Sequence, residues 1–260
     1  MSTEARLRRL LRGVGSGRVS ERRAMERLRG WAFEELGELK LDHHRALRKG
    51  FPEVVFGQGK TPAQIVRAAE ALMRHGSALL VTRVPEETAK ELSRLHPRAV
   101  WNAAARAVHV PPRRKIPARG CVAVLAAGSS DLSVAEEAAF TAQAFGVREV
   151  LRAFDVGVAG IHRLAAQRAK LERAQAVVCV AGMEGALFSV VAGLVEAPVI
   201  AVPTSVGYGV AERGLAALAA ALASCSPGLM AVNIDNGFGA GYNAALIARS
   251  VRERKSKTRL

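Results

Sequence analysis

Cys225 is the residue of this chain best placed by type and setting to do covalent chemistry. It opens the run Ser224–Tyr242 (SCSPGLMAVNIDNGFGAGY), in which an apolar segment, Leu229–Ile234, leads into a turn rich in Gly, Asn and Asp. A thiol there can act as a nucleophile. Asn233, Asp235 and Asn236 can offer backbone and side-chain polar groups to a ligand. A small buried cysteine before a Pro-Gly turn is the competing structural reading.

Four segments upstream have the same character. In Ala127-Gly128-Ser129-Ser130-Asp131, Gly128 lets backbone approach a ligand, and Ser129, Ser130 and the start of the following helix can hold a phosphate. Asp131 could equally cap that helix. The segment lacks both the lysine of a phosphate-binding P-loop and a GxGxxG spacing. In Asp155–Arg163, the pair His162-Arg163 could bind a carboxylate or phosphate, and His162 could move a proton; a surface pair is the plainer reading. Glu184, in Gly182-Met183-Glu184-Gly185, is a carboxylate that packing does not require, and partial burial there would raise its pKa. Stabilising the first helical turn is its alternative role. Pro203–Gly209 adds hydroxyls, Ser205 among them. Nearer the amino terminus, Leu41–Lys60 (LDHHRALRKGFPEVVFGQGK) gathers Asp42, Arg45, Arg48 and Glu53, which could complete a site or make an interdomain polar contact. Together these residue types suit an enzyme working on a nucleotide.

The elements that must position them follow from periodicity. From Gly120 onward, apolar runs at Val122–Ala126, Glu149–Ala153, Ala176–Val180, Val199–Val202 and Leu229–Val232 alternate with helical patterns near 132–145, 158–171, 185–195, 211–222 and 240–251. Continuous apolar strands between amphipathic helices predict an α/β domain, a parallel sheet covered on both faces. Every Gly-rich or polar segment follows a strand, so these loops and the Cys225 region are expected at one sheet edge. The Pro111-Pro112…Pro117 stretch predicts a boundary near 118, giving a smaller α+β domain over 1–118 and the α/β domain over 119–260. In the first domain, Leu7, Leu10 and Leu11 mark one helix. A second starts after Ser20 and carries Met25, Leu28 and Trp31–Leu36 on a helical period. Helices from Thr61-Pro62 to His75 and over Pro85–Leu95, and strands at Ser77–Thr82 and within Ala99–Val110, complete it.

The net charge of +15 raises the question of nucleic acid. Residues 1–50 carry 13 Lys/Arg against 7 Asp/Glu, 94–120 carry 7 against none, and 249–260 carry 6 against 1, whereas 121–248 carry 7 against 10. The basic excess therefore avoids the region with the chemistry-like loops. Nucleic acid is not the expected partner, and attraction of a phosphorylated substrate or a subunit contact serves as well. Arg113–Lys115 and the terminal RERKSKTR read as a loop and a frayed end. Cys121 and Cys179 lie in apolar strand patterns and read as core; three scattered cysteines build neither a disulfide framework nor a zinc site. With no signal-peptide pattern and no apolar stretch of membrane-spanning length, a cytoplasmic location without a membrane partner is expected.

The segments GSSDLSVAEEA, DVGVAGIHR, CVAGMEGAL, PVIAVPTSVGYG and NIDNGFGAGY, with the upstream LDHHRALRKGFPEVVFGQGKT, resemble in that order the LarB family, over about residues 20–249. These are pyridinium-3,5-biscarboxylic acid mononucleotide synthases, which begin assembly of the nickel-pincer nucleotide cofactor. The last ~130 residues also resemble, more distantly, the PurE-type aminoimidazole ribonucleotide carboxylase/mutase domain in the GSxSD-like loop and the His-Arg pair. The resemblance implies a PurE-like three-layer domain and nicotinic acid adenine dinucleotide as substrate. It implies carboxylation of the pyridinium ring with CO2 or bicarbonate as co-substrate, and phosphoanhydride hydrolysis releasing AMP. It also implies a homo-oligomer, an octamer by analogy with PurE. Cys225 would be the nucleophile, with Glu184 the general base and His162 its rival. Gly128, Ser129, Ser130, Asp131, Arg163, Gly182, Met183, Ser205, Asn233, Asp235 and Asn236 would bind substrate, joined by Asp42, Arg45 and Arg48. Mg2+ is expected to offset the pyrophosphate charge, at a place no residue cluster fixes. A PurE-like purine carboxylase or mutase is the alternative enzyme, and a basic nucleic-acid-binding protein the alternative of another class.

Overall fold

The computed structural model describes residues 3–29, 33–42, 45–74, 78–113 and 117–251. Trp31, His43, His44, His75, Ser77, Arg114, Lys115 and the RERKSKTR tail lie outside these residues. The chain divides into two compact units, Met1–Ile116 and Pro117–Leu260.

The first unit runs α1 (Thr3–Gly15), α2 (Glu21–Arg29), β1 (Phe33–Leu36), β2 (Leu39–Asp42), α3 (Arg45–Lys49), β3 (Val54–Phe56), α4 (Pro62–Arg74), β4 (Leu79–Thr82), α5 (Glu86–Leu95), β5 (Val100–Asn102) and β6 (Ala107–Val110). One expectation fails here. Phe33–Leu36 does not continue a helix but pairs antiparallel with β2, Leu36 opposite Leu39. Gly37, at φ +70°, starts the two-residue turn between them, a conformation glycine adopts without penalty. The main sheet has the order β3-β4-β6-β5, with β3 parallel to β4 and the other pairs antiparallel. The α4 helix opens on a reciprocal cap between Thr61 and Gln64. Its Ile65, Ala68, Ala69 and Leu72, at the 3.6-residue period, are buried in a core with Leu79, Val81, Leu92, Val108 and Val110.

The second unit runs β7 (Arg119–Ala126), α6 (Leu132–Ala144), β8 (Val147–Ala153), α7 (Ile161–Ala165), α8 (Arg168–Leu171), β9 (Ala176–Ala181), α9 (Ala186–Leu194), β10 (Val199–Pro203), α10 (Leu215–Leu222), β11 (Leu229–Ala231) and α11 (Gly237–Ser250). The helix expected over 158–171 is a 3-10 turn followed by two short helices. The five strands form one parallel sheet in the order β8-β7-β9-β10-β11. Leu125, Val177, Cys179, Val199 and Ala201 pack on one face against Leu164, Leu171, Leu187, Phe188, Val191 and Ala217. Fully burying Phe188 alone contributes about 1.5–3 kcal/mol. The other face is covered by α6 and α11, which approach so closely that a Cβ on Gly241 would lie 2.2 Å from the Ala138 carbonyl oxygen. The unit is thus a three-layer α/β domain. Among the described residues no helix is long and apolar enough to cross a membrane.

Candidate active site

The sheet order creates an opening. Strands β7 and β9 are neighbours, yet the chain leaves β7 toward β8 and leaves β9 toward β10, on opposite sides. The segments following them diverge over the two faces, α6 on one and α9 on the other. In open α/β sheets ligands enter at this reversal, outside the carboxyl ends of the strands. Gly128–Asp131 follows β7 and Gly182–Gly185 follows β9, so Ser129, Ser130, Met183 and Glu184, all exposed, border the crevice. A Cβ on Gly128 would meet only Asp131 Oδ2, at 3.7 Å, which leaves that backbone open to approach.

Asp131 itself does not face the crevice. It is 3% exposed; its Oδ2 accepts from the Gly128 N–H (2.9 Å) and its Oδ1 from the Thr204 hydroxyl (2.6 Å). Its side chain makes no cap bond to α6. Asp131 thus caps the 3-10 turn Ser129–Asp131 that leads into α6, through the Gly128 N–H, and also ties the segment after β7 to the one after β10. Burial pushes its carboxyl above the ordinary aspartate value, the Thr204 and Gly128 bonds hold it back, and nearby Asp235 adds to the rise. Burial also pushes the Cys179 thiol up, with the Asp131 carboxylate adding to the effect; Cys179 is core, as its pattern predicted.

Thr204 is the member of this group that sequence reasoning passed over. It is fully buried, and its N–H donates to the Ala181 carbonyl at 2.9 Å. Its only sequence signal is a hydroxyl residue directly after a strand-ending proline. Gly182 must stay a glycine beside it, because a Cβ there would lie 2.2 Å from the Val206 carbonyl oxygen and 2.8 Å from Thr204 Oγ1. The Met183 N–H donates to the same Val206 carbonyl (3.0 Å) while Met183 sits at φ +52°, a left-handed conformation that costs about 1–2 kcal/mol in a residue with a Cβ. The loop that carries Glu184 is therefore clamped to the loop after β10. Asp235, at φ +57°, clamps the next one: its Oδ1 accepts from the Ser205 N–H at 2.8 Å. Asn236 caps α11 by accepting from the Gly239 N–H (2.8 Å), and exposed Asn233 accepts from the Ile234 N–H. Asp235 and Asn236 hold backbone N–H groups through these bonds, that of Ser205 among them.

After β8, His162 and Arg163 lie in α7, His162 exposed and Arg163 ion-paired with Asp155. Cys225 is exposed, flanked by serines that turn inward: Ser224 Oγ lies 2.9 Å from Ser189 Oγ, and Ser226 Oγ donates to the Ser189 carbonyl at 3.2 Å. The expectation of one shared edge fails for this residue. Cys225 precedes β11, where the Gly228 carbonyl accepts from the first residue of β10, Val199, whereas Asn233, Asp235 and Asn236 follow β11. In an all-parallel sheet those are opposite edges, so one copy of the chain does not bring the thiol to the crevice.

In the first unit, Arg48 forms a two-pronged ion pair with Asp42, whose backbone N–H donates to the Glu53 carboxylate; Arg45 opens α3 and is half-buried. Among the described residues no group of three His, Cys, Asp or Glu could hold a metal ion.

Known proteins match both units. The family described as LarB/PurE-like N-terminal domain matches residues 33–112, and AIR carboxylase matches 121–259. The uncharacterized protein MJ0165 of Methanocaldococcus jannaschii is 40% identical over 258 residues, covering 94% of this chain and 97% of that protein. The chain belongs to the LarB family, with a PurE-like carboxylase domain as its second unit. Two crystal structures from Treponema denticola, PurE and a PurE2 variant, are 25% and 26% identical, each covering 50% of this chain and 78% and 77% of their own, with TM-scores of 0.39. The two family matches mark the family as carboxylase-type.

Proposed function

We propose that this protein carboxylates the pyridinium ring of nicotinic acid adenine dinucleotide at C5 and hydrolyses its phosphoanhydride. The products are pyridinium-3,5-biscarboxylic acid mononucleotide and AMP, the first step toward a nickel-pincer cofactor. The observation that carries this reading is the crevice at the β7/β9 reversal in a LarB-family chain, bordered by open Gly128 backbone and by the clamped Glu184 loop.

A pyridinium ring is too electron-poor for C5 to attack CO2. Addition of the Cys225 thiolate at C4 removes the aromaticity and leaves an N1–C6–C5 enamine, whose C5 forms the new C–C bond to CO2. Glu184 then takes the C5 proton, and the electron pair restores the ring as the C4–S bond breaks, returning the thiolate. Water attack on the pyrophosphate cleaves the P–O–P link and releases AMP. Mg2+ would be carried by the substrate's own phosphates with at most one or two carboxylates from the protein, as is usual for that ion, and would neutralise their charge. Because Cys225 and the crevice lie at opposite edges of one sheet, the thiol in this mechanism comes from a second copy of the chain in a homo-oligomer. Exposed apolar residues at Tyr208 (81%), Val210 (92%) and Leu222 (72%) support such an assembly.

The test is mass spectrometry of products from nicotinic acid adenine dinucleotide, Mg2+ and 13C-bicarbonate, with wild type and Cys225→Ala. Labelled dicarboxylated mononucleotide and AMP from wild type alone is the expected result; folded wild type that leaves the ring unlabelled refutes the proposal. The AIR carboxylase match over 121–259 favours aminoimidazole ribonucleotide as the second substrate to try.

A further inference from the structure

Arg163 is held in a way that no packing requirement explains. Its Nη1 donates to Asp155 Oδ2, and a Cβ placed on buried Gly160 would lie 2.6 Å from its Nε, 3.0 Å from its Nη2 and 3.1 Å from its Cζ. The guanidinium thus packs with its Nε–Nη2 edge against the bare Cα of Gly160 and has one corner clasped by Asp155. Guanidinium has five N–H donors, and among the described residues Asp155 is the one acceptor that meets them. The side chain remains 39% exposed.

The frame beneath it is rigid. The Val156 and Gly157 N–H groups donate to the carbonyls of Ala126 and Ala127 at the end of β7, at 3.1 and 2.9 Å. Gly157 approaches so closely that a Cβ would lie 2.8 Å from the Ala127 oxygen, and Leu164, next to Arg163, is fully buried. Asp155 stands at φ +55°, a costly conformation that turns its carboxylate back toward the arginine. A solvated surface pair would need neither this anchored backbone nor a glycine floor.

We propose that Asp155 and Gly160 are positioning residues that hold the Arg163 guanidinium ready to take a carboxylate or phosphate of the substrate. The inference rests on the function proposed above, whose substrate carries both groups. Asp155 occupies one corner and orients the group; the guanidinium's remaining N–H donors suit a carboxylate or phosphate oxygen. Gly160 supplies the close contact that any side chain would destroy.

Gly160→Ala gives a clean test. The glycine has φ −128° and ψ 61°, outside the left-handed region that favours glycine, and the three atoms nearest its new methyl all belong to the Arg163 side chain. The variant should therefore fold as wild type while displacing the guanidinium without changing a charge. Binding would be measured for wild type, Gly160→Ala, Arg163→Ala, the double variant and Asp155→Asn, using nicotinic acid mononucleotide, nicotinamide mononucleotide and inorganic phosphate.

Loss of a charge-assisted contact predicts about tenfold or greater weakening in Gly160→Ala and in Arg163→Ala. The double variant should be no weaker than Arg163→Ala, because both changes remove one contact. Asp155→Asn should show a smaller loss, and in turnover these variants should raise KM with kcat little changed. Weakening for nicotinic acid mononucleotide alone identifies a carboxylate as the ligand group; weakening for all three probes identifies phosphate. Unchanged binding in Gly160→Ala, or additive losses in the double variant, overturns the positioning role, and Asp155→Asn binding as wild type overturns it should Gly160→Ala not fold. If wild type binds phosphate with the predicted coupling but neither mononucleotide, the substrate assignment fails and the clasp stands. Wild type that binds none of the probes refutes the clasp as well.

Discussion

Replacing Thr204 by valine keeps the shape of a fully buried side chain and deletes one donor. That donor serves Asp131 Oδ1 at 2.6 Å, in a carboxylate only 3% exposed, so no water can readily replace it. Hydrogen bonds to charged groups contribute about 1.5–3 kcal/mol, and the near-isosteric swap adds no cavity. The expected loss at neutral pH is thus about 2 kcal/mol, a fall in Tm of roughly 4–8 °C at this chain length. Thr204→Ser, which keeps the hydroxyl and loses one methyl, should cost only about 0.8 kcal/mol.

The loss should also depend on pH. Burial raises the folded pKa of Asp131, so wild-type stability from this group is fully present below the unfolded value of about 3.9 and is lost as pH rises through the raised folded value. The Thr204 bond opposes that rise by favouring the ionised form. Without it the folded pKa climbs further, and the gap between wild type and Thr204→Val widens with pH across the acid range, then levels. Below that window the bond is between neutral groups and its loss costs about 0.5–1.5 kcal/mol. Denaturant unfolding from pH 3 to 8, at constant m-value, reads both. A gap that stays under about 0.5 kcal/mol at neutral pH, or that shrinks as pH rises, refutes the brace.

Gly182→Ala should do more damage than its size suggests, since its methyl would strike the Val206 carbonyl at 2.2 Å. We expect about 1–3 kcal/mol of destabilisation from overpacking, with kcat falling more than KM rises as the Glu184 loop shifts; a kcat equal to wild type separates that loop from the chemistry. Asn236→Ala should lose about 1 kcal/mol with the cap on α11, while Asn236→Asp should retain most of it. Equal losses in urea unfolding would show that the side-chain oxygen is not the capping group.

The five-stranded alternation was legible because apolar period and chain punctuation are local. The strands expected at Val122–Ala126 and Ala176–Val180 stand within the observed β7 and β9, and the Gly-rich segments do follow them. At Gly128 the backbone is open, as a glycine there suggested, whereas the tight contact at Gly182 had no counterpart in the sequence reading. The β1–β2 hairpin was missed because Trp31–Leu36 also satisfies a helical period, and the turn that decides the matter depends on a single residue, Gly37.

By itself the sequence determined the α/β layering, the loops that carry polar groups and the residue types those loops offer. Each of these depends on neighbours within a few positions along the chain. Only the tertiary structure decided which groups remain open to a ligand. Asp131 looks available until strand order brings Thr204, 73 residues away, onto its carboxylate. Arg163 looks like a surface cation until Asp155 and Gly160 are seen to pack against its guanidinium. Cys225 looks like a neighbour of Asp235 until β11 is seen to run between them. Proximity in sequence does not encode the edge of a parallel sheet: a strand carries the chain from one edge to the other, so residues just before and just after it are separated by its full length.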